Sequence, residues 1–201
     1  MRSRRRSLEQ HERGGAVRNG RHAVGAHGGV QSDRTAVTNA ARFPRARRAA
    51  VIGDDWFALL QEFLDAGVRY VVVGAHAMAV HGFPRATQRL DVWIDRDPDN
   101  AGKTLQALAH FGAPLDTLGV TVSDLTTPGM VIQIGLPPNR VDVLTTISGV
   151  EDFAAAWDAR VEHVIRGSAI PFLDLERLRL NKRASGRRKD LADLERLGGL
   201  D

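Results

Sequence analysis

Apolar positions recur at helical spacing from residue 54 onward. Trp56, Phe57, Leu60, Phe63 and Leu64 share one side of a 3.6-residue repeat, with Asp54 placed to cap its start and Gly67 to end it. Val68 to Val73 is a continuous apolar run, short enough for a buried strand, and Gly74 breaks it. Ala75 to His81 then predicts a short helix stopped by Gly82. Leu90 to Ile94 predicts a second strand, and Asp97-Pro98 opens a helix that runs to Phe111-Gly112.

Further on the pattern is thinner. Residues 113–128 suggest a loop with a weak strand. Met130 to Ile134 and Val141 to Leu144 pair as strands across Gly135 to Asn139. Phe153 to Asp158 is helical, and Val161 to Ile165 and Ile170 to Phe172 predict short strands. Asp174 caps a helix carrying Leu175, Leu178 and Lys182. A last helix carries Leu191, Leu194 and Leu197 and stops at Gly198-Gly199. The sum is a mixed α/β (α+β) domain, a small mixed sheet flanked by helices and followed by C-terminal helices.

Residues 1–50 show neither period. They hold 12 Arg, no Lys and only three acids (Glu9, Glu12 and Asp33), so the tail carries +9 and residues 51–201 carry −5 of the overall +4. Such a segment buries too little apolar area to offset its ordering entropy, so a disordered Arg-rich tail, 1–50, precedes a domain at 51–201. Its arginines suit nucleic acid, an organellar transit peptide, or an extension upstream of a true start near residue 50. No apolar run reaches 18 residues, so no membrane span is expected. Cysteine is absent, which removes disulfides and thiolate chemistry and fits a reducing, cytoplasmic setting.

Two aspartates stand out. On a strand alternate residues share a face, so Arg89, Asp91 and Trp93 point one way while Leu90, Val92 and Ile94 point into the core. Arg140, Asp142 and Leu144 repeat the arrangement. A carboxylate in an apolar strand needs a partner. A divalent cation is one candidate, and salt bridges to Arg85, Arg89 or Arg140 are the other. Gly74, between strand and helix, either presents backbone N–H groups to an anion or makes a tight turn. Of the seven histidines, the four beyond residue 50 (His76, His81, His110 and His163) show no metal-ligand spacing.

The series Val72-Val73-Gly74-Ala75-His76-Ala77, His81-Gly82, Arg85-Ala86-Thr87, the Asp91 strand and Arg140-Val141-Asp142-Val143-Leu144 resembles the DNA polymerase β-like nucleotidyltransferase superfamily. Within it, the series is similar to small bacterial members related to abortive-infection toxin nucleotidyltransferases, as is the closing stretch from Asn181 to Leu194. The resemblance implies a glycine turn that holds nucleotide phosphates, with Gly74 and Ala75 at that turn. It also implies two carboxylates on one strand and a third on its neighbour, binding Mg²⁺ or Mn²⁺. Asp91 and Asp142 match the second and third, as catalytic residues and metal ligands. Arg85, Thr87 and Lys182 fall where contacts to the nucleotide are expected, and Arg187 and Lys189 join Lys182 as candidates to face the triphosphate. Arg85 and Thr87 also fit as loop anchors, and Lys189 also fits as an i,i+4 partner of Asp193 on a solvated helix.

Two positions depart from the pattern. Ala75 follows the turn glycine where Gly or Ser is common. Arg89 stands where the first carboxylate belongs. The expected function is therefore metal-dependent transfer of an NMP from an NTP to a hydroxyl of protein, tRNA or a small molecule, impaired by Arg89. The alternatives are a catalytically degenerate nucleotide-binding or toxin–antitoxin protein, with an antitoxin-like partner, and nucleic-acid binding through the basic tail.

Overall fold

The computed structural model describes residues 52–198 and, as a strand, Thr35–Val37. The expected tail lies outside the described residues apart from that strand. Seven strands form one mixed sheet: β1 (Thr35–Val37), β2 (Tyr70–Val73), β3 (Arg89–Ile94), β4 (Val131–Ile134), β5 (Arg140–Leu144), β6 (Val161–Ile165) and β7 (Ser168–Phe172). Their order is β1-β4-β5-β3-β2-β7-β6. The three central strands are the ones that matter for the site. β3 runs parallel to β5 on one side and antiparallel to β2 on the other. The fold is thus the expected α+β sheet with flanking helices.

The helices are α1 (Asp54–Asp65), α2 (Gly74–Val80), α3 (Pro98–His110), α4 (Leu115–Leu118), α5 (Val122–Thr126), α6 (Phe153–Asp158), α7 (Leu175–Ser185) and α8 (Arg188–Arg196). α1 buries Trp56, Leu59, Leu60 and Phe63, as its apolar stripe requires, and packs against α3. Gly53, not Asp54, occupies the N-cap of α1; Asp54 is the first helical residue and pairs instead with Arg166 at 2.5 Å. Asp97 caps α3 by accepting from the backbone N–H groups of Asp99 and Asn100, and Asp174 caps α7 by accepting from Arg177 N–H.

Every residue of β2 is buried, which explains its unbroken apolar run. Its pairing with β3 sets Val73 opposite Asp91. Asn100 ties the far end of this strand pair to α3: its side chain accepts from Arg69 N–H at 2.7 Å and donates to the carbonyls of Arg69 and Asp95.

Two further expectations are corrected. The stretch 113–128 holds no strand; it forms α4 and α5, the latter closed by a capping box in which Thr121 and Asp124 satisfy each other's backbone. In α8 the buried face is not the one that Leu191 and Leu194 mark. Leu191 is 44 % exposed, whereas Asp190 and Asp193 are buried together with Leu197. A helix that turns two carboxylates inward needs cations waiting there, and α7 supplies one.

Candidate functional site

β3 and β5 lie side by side in register, so Asp91 is the direct partner of Asp142, and Arg89 of Arg140. Neighbouring parallel strands present partner residues on the same face. The two carboxylates therefore converge, each less than a tenth exposed. Gly74 closes the third side. Its φ is +67°, a conformation that glycine adopts without strain, and the chain passes there directly from β2 into α2. A Cβ at this position would lie 2.4 Å from Asp91 Oδ2, so the turn has been brought against the carboxylate as closely as a glycine permits.

The partners of these carboxylates are guanidinium groups. Arg89 Nε stands 2.8 Å from Asp91 Oδ1 and 3.8 Å from Asp142 Oδ2. Arg140 donates from Nη2 to Asp142 Oδ2 at 2.9 Å, and its Nε lies 2.9 Å from Asp142 Oδ1. Of the three arginines considered from the sequence, Arg89 and Arg140 engage the pair, and Arg85 turns elsewhere. Burial nevertheless pushes the Asp91 carboxyl above its usual range, against the opposing charges of Arg89, Lys182 and Arg140. Asp142 is likewise pushed up by burial and then by the charge of Asp91, against Arg140 and Arg89.

A second ionic cluster holds the C-terminal helices together. Lys182 of α7 is buried and places its Nζ 2.8 Å from Asp190 Oδ1 and 3.1 Å from Asp193 Oδ2. Arg187 reaches Asp190 at 2.5 Å, and Arg85 reaches Asp193 at 3.2 Å. Burial pushes Asp190 up, but the hydrogen bonds and charges of Lys182 and Arg187 outweigh it and hold the carboxyl below the usual range. The expected Lys189–Asp193 pairing does not form; Asp193 is taken by Lys182 and Arg85.

Both clusters border one cleft of about 830 Å³. Gly74, Asp91 and Asp142 form its floor. Arg85, Arg89, Arg96, Arg140, Lys182, Arg187 and Lys189 line it, against the carboxylates Asp91, Asp142, Glu151 and Asp190. Cations therefore outnumber acids in a domain whose net charge is negative. Lys189 pairs with no carboxylate among the described residues, and its ammonium is held below the usual lysine range by partial desolvation and by the charges of Arg89 and Arg187, against that of Asp190.

The remaining sequence candidates divide. Arg85 and Lys182 reach the cleft wall, although both are committed to ion pairs. Ala75 is buried at the start of α2 and Thr87 is half-buried, and neither is among the residues lining the cleft. Thr87 is a loop anchor: its hydroxyl donates to the Arg89 carbonyl at 3.0 Å and accepts from the Arg89 N–H at 3.3 Å, fixing the start of β3. Trp93, on the same strand face as Asp91, is core. Its indole N–H donates to the Thr145 carbonyl and its ring meets Phe153 edge-on at 4.9 Å.

The far wall of the cleft was not anticipated from the sequence. Residues 146–151 form it, wedged against α7: a Cβ on Gly149 would lie 2.6 Å from the Ala184 side chain and 2.9 Å from the Leu180 carbonyl. Asn181 Nδ2 donates to Ser148 O at 3.0 Å and pins the loop there. The one available signal was Gly149 after a strand, which marks a turn but not its direction.

The donor set does not fit a pair of divalent cations. Two carboxylates are present where the resemblance implies three, and both already face guanidinium groups. Among the described residues no group of three or more His, Asp or Glu is placed to share a metal ion.

No protein-family model matches the sequence, and no curated protein matches it. Among solved structures the chain is similar to a candidate nucleotidyltransferase from Thermotoga maritima. The identity is 18 % and the TM-score 0.48, over 69 % of this chain and 86 % of that one. No helix among the described residues is long and apolar enough to cross a membrane.

Proposed function

We propose that this chain is a nucleotidyltransferase-type protein that binds a nucleoside triphosphate in the cleft over Gly74, Asp91 and Asp142, with two-metal transfer suppressed in the protein as it stands. One observation carries the reading: Arg89 Nε lies 2.8 Å from Asp91 and 3.8 Å from Asp142. A guanidinium does not deprotonate in a protein, so it cannot vacate its charge to admit a cation. Like charges 4 Å apart repel by roughly 4 kcal/mol at the effective dielectric of a protein surface. A divalent ion at Asp91 would meet that repulsion and would also lack the ligand that a carboxylate at position 89 would supply. The excess of cations lining the cleft supports an anionic ligand, and arginine forks match phosphate oxygens.

A second reading keeps catalysis. The register of Asp91 with Asp142, directly under the Gly74 turn, favours it. If Arg89 swings toward solvent, the two carboxylates would hold Mg²⁺ or Mn²⁺, and an NMP would pass to a hydroxyl of protein, tRNA or a small molecule. Incubation of the full chain with α-labelled NTPs, Mg²⁺ or Mn²⁺ and a cell extract separates the two. Nucleotide binding without label transfer supports the first reading. Efficient transfer that is lost in Asp142→Asn supports the second.

A further inference from the structure

We infer that the cleft recognises a chain of phosphates without a divalent metal, through the guanidinium and ammonium groups of Arg89, Arg187 and Lys189. The inference rests on the phosphate-binding part of the proposed function and specifies how that part works. In a metal-dependent site the protein supplies carboxylates and the cations arrive with the ligand. Here the positive charge is already built into the chain. Arg89 occupies the carboxylate pair from one side of the cleft. Arg187 and Lys189 reach the same space from the start of α8, on the other side.

The internal pairing leaves this group under-neutralised. Arg89 shares Asp91 and Asp142 with Arg140, so two carboxylates answer two guanidinium groups. Arg187 shares Asp190 with Lys182, which also holds Asp193 together with Arg85, so there two carboxylates answer three cations. Lys189 has no carboxylate of its own among the described residues, and the charges of Arg89 and Arg187 both bear on it. A polyanion entering the cleft relieves that repulsion, and the buried Lys182–Asp190–Asp193 cluster holds the start of α8 in place to receive it. Mg²⁺ would work against such binding, since it neutralises the phosphates in solution while the carboxylates that would accept it are already engaged.

Inorganic tripolyphosphate and ATP, each titrated into the full chain by calorimetry with EDTA and again with excess Mg²⁺, test this. Binding in EDTA that weakens about tenfold in Mg²⁺ is expected, and so is a loss of about tenfold in Lys189→Ala, the size of one charge-assisted contact. Lys189→Arg should retain most of the affinity. Lys189 is exposed, so neither variant removes a core contact. Binding that requires Mg²⁺ would overturn the inference. So would equal affinity in wild type and Lys189→Ala. Tripolyphosphate binding without ATP binding would leave the inference standing and remove the nucleotide reading.

Discussion

Gly74 and Asp91 approach so closely that the glycine hydrogen is the largest substituent the space admits: a Cβ would sit 2.4 Å from the carboxylate oxygen. The contact arises because β2 and β3 pair with Val73 opposite Asp91 and the chain then turns at once into α2. Gly74→Ala would add a left-handed backbone penalty of about 1–2 kcal/mol. It would also displace Asp91 from its place beside Arg89. Urea unfolding should show at least that loss. An unchanged midpoint would mean that the turn relaxes freely and that the Gly74–Asp91 contact does not constrain the site.

Lys182 is the hub of the C-terminal helices. Removing it in Lys182→Met leaves Asp190 and Asp193 buried with only Arg187 and Arg85 to answer them. Breaking a buried pair from one side costs about 3–5 kcal/mol, because a charge is stranded. Chemical denaturation should register a loss of that order. A change under about 1 kcal/mol would place the cluster among surface ion pairs of little consequence.

Asp190 gives a pH signature. Its folded-state carboxyl lies below the usual range because Lys182 and Arg187 outweigh its burial. The unfolded chain therefore binds a proton first as pH falls, at about 3.9. The stability contributed by Asp190 is present above that value and is lost as pH falls through the lower, folded value. Unfolding free energy should fall more steeply below about pH 4 in wild type than in Asp190→Asn. Parallel slopes would show that Asp190 titrates alike in both states.

Much of this architecture could be read from the chain because single elements decide their own form. The period of Trp56, Leu60 and Phe63 has one solution, and the run of valines before Gly74 has one as well. The strand placement of Asp91 and Asp142 followed from alternation alone, and their convergence from the adjacency of two such strands. What could not be read depends on partners distant in sequence. Asp190 and Asp193 look like the solvated face of a helix until Lys182 is folded against them, and the leucines beside them look like its core. Trp93 shares a face with Asp91, yet two residues of strand are enough to pass from open cleft to the cover provided by Phe153. The 146–151 wall depends on the fit of Gly149 against Ala184, which no local pattern encodes. Arg89 was conspicuous in the sequence as a cation among carboxylates; the distances to both aspartates needed the fold.

The most direct test of the central claim is a Mn²⁺ titration of wild type and Arg89→Asp, followed by electron paramagnetic resonance of free and bound ion. Arg89→Asp removes the competing guanidinium and restores a third carboxylate beside Asp91 and Asp142. The account predicts no cleft-specific Mn²⁺ binding in wild type and an affinity at least about tenfold higher in Arg89→Asp, abolished again when Asp142→Asn is added. Wild type that binds Mn²⁺ as tightly as Arg89→Asp, and loses it on Asp142→Asn, would contradict the claim that Arg89 closes the pair to metal.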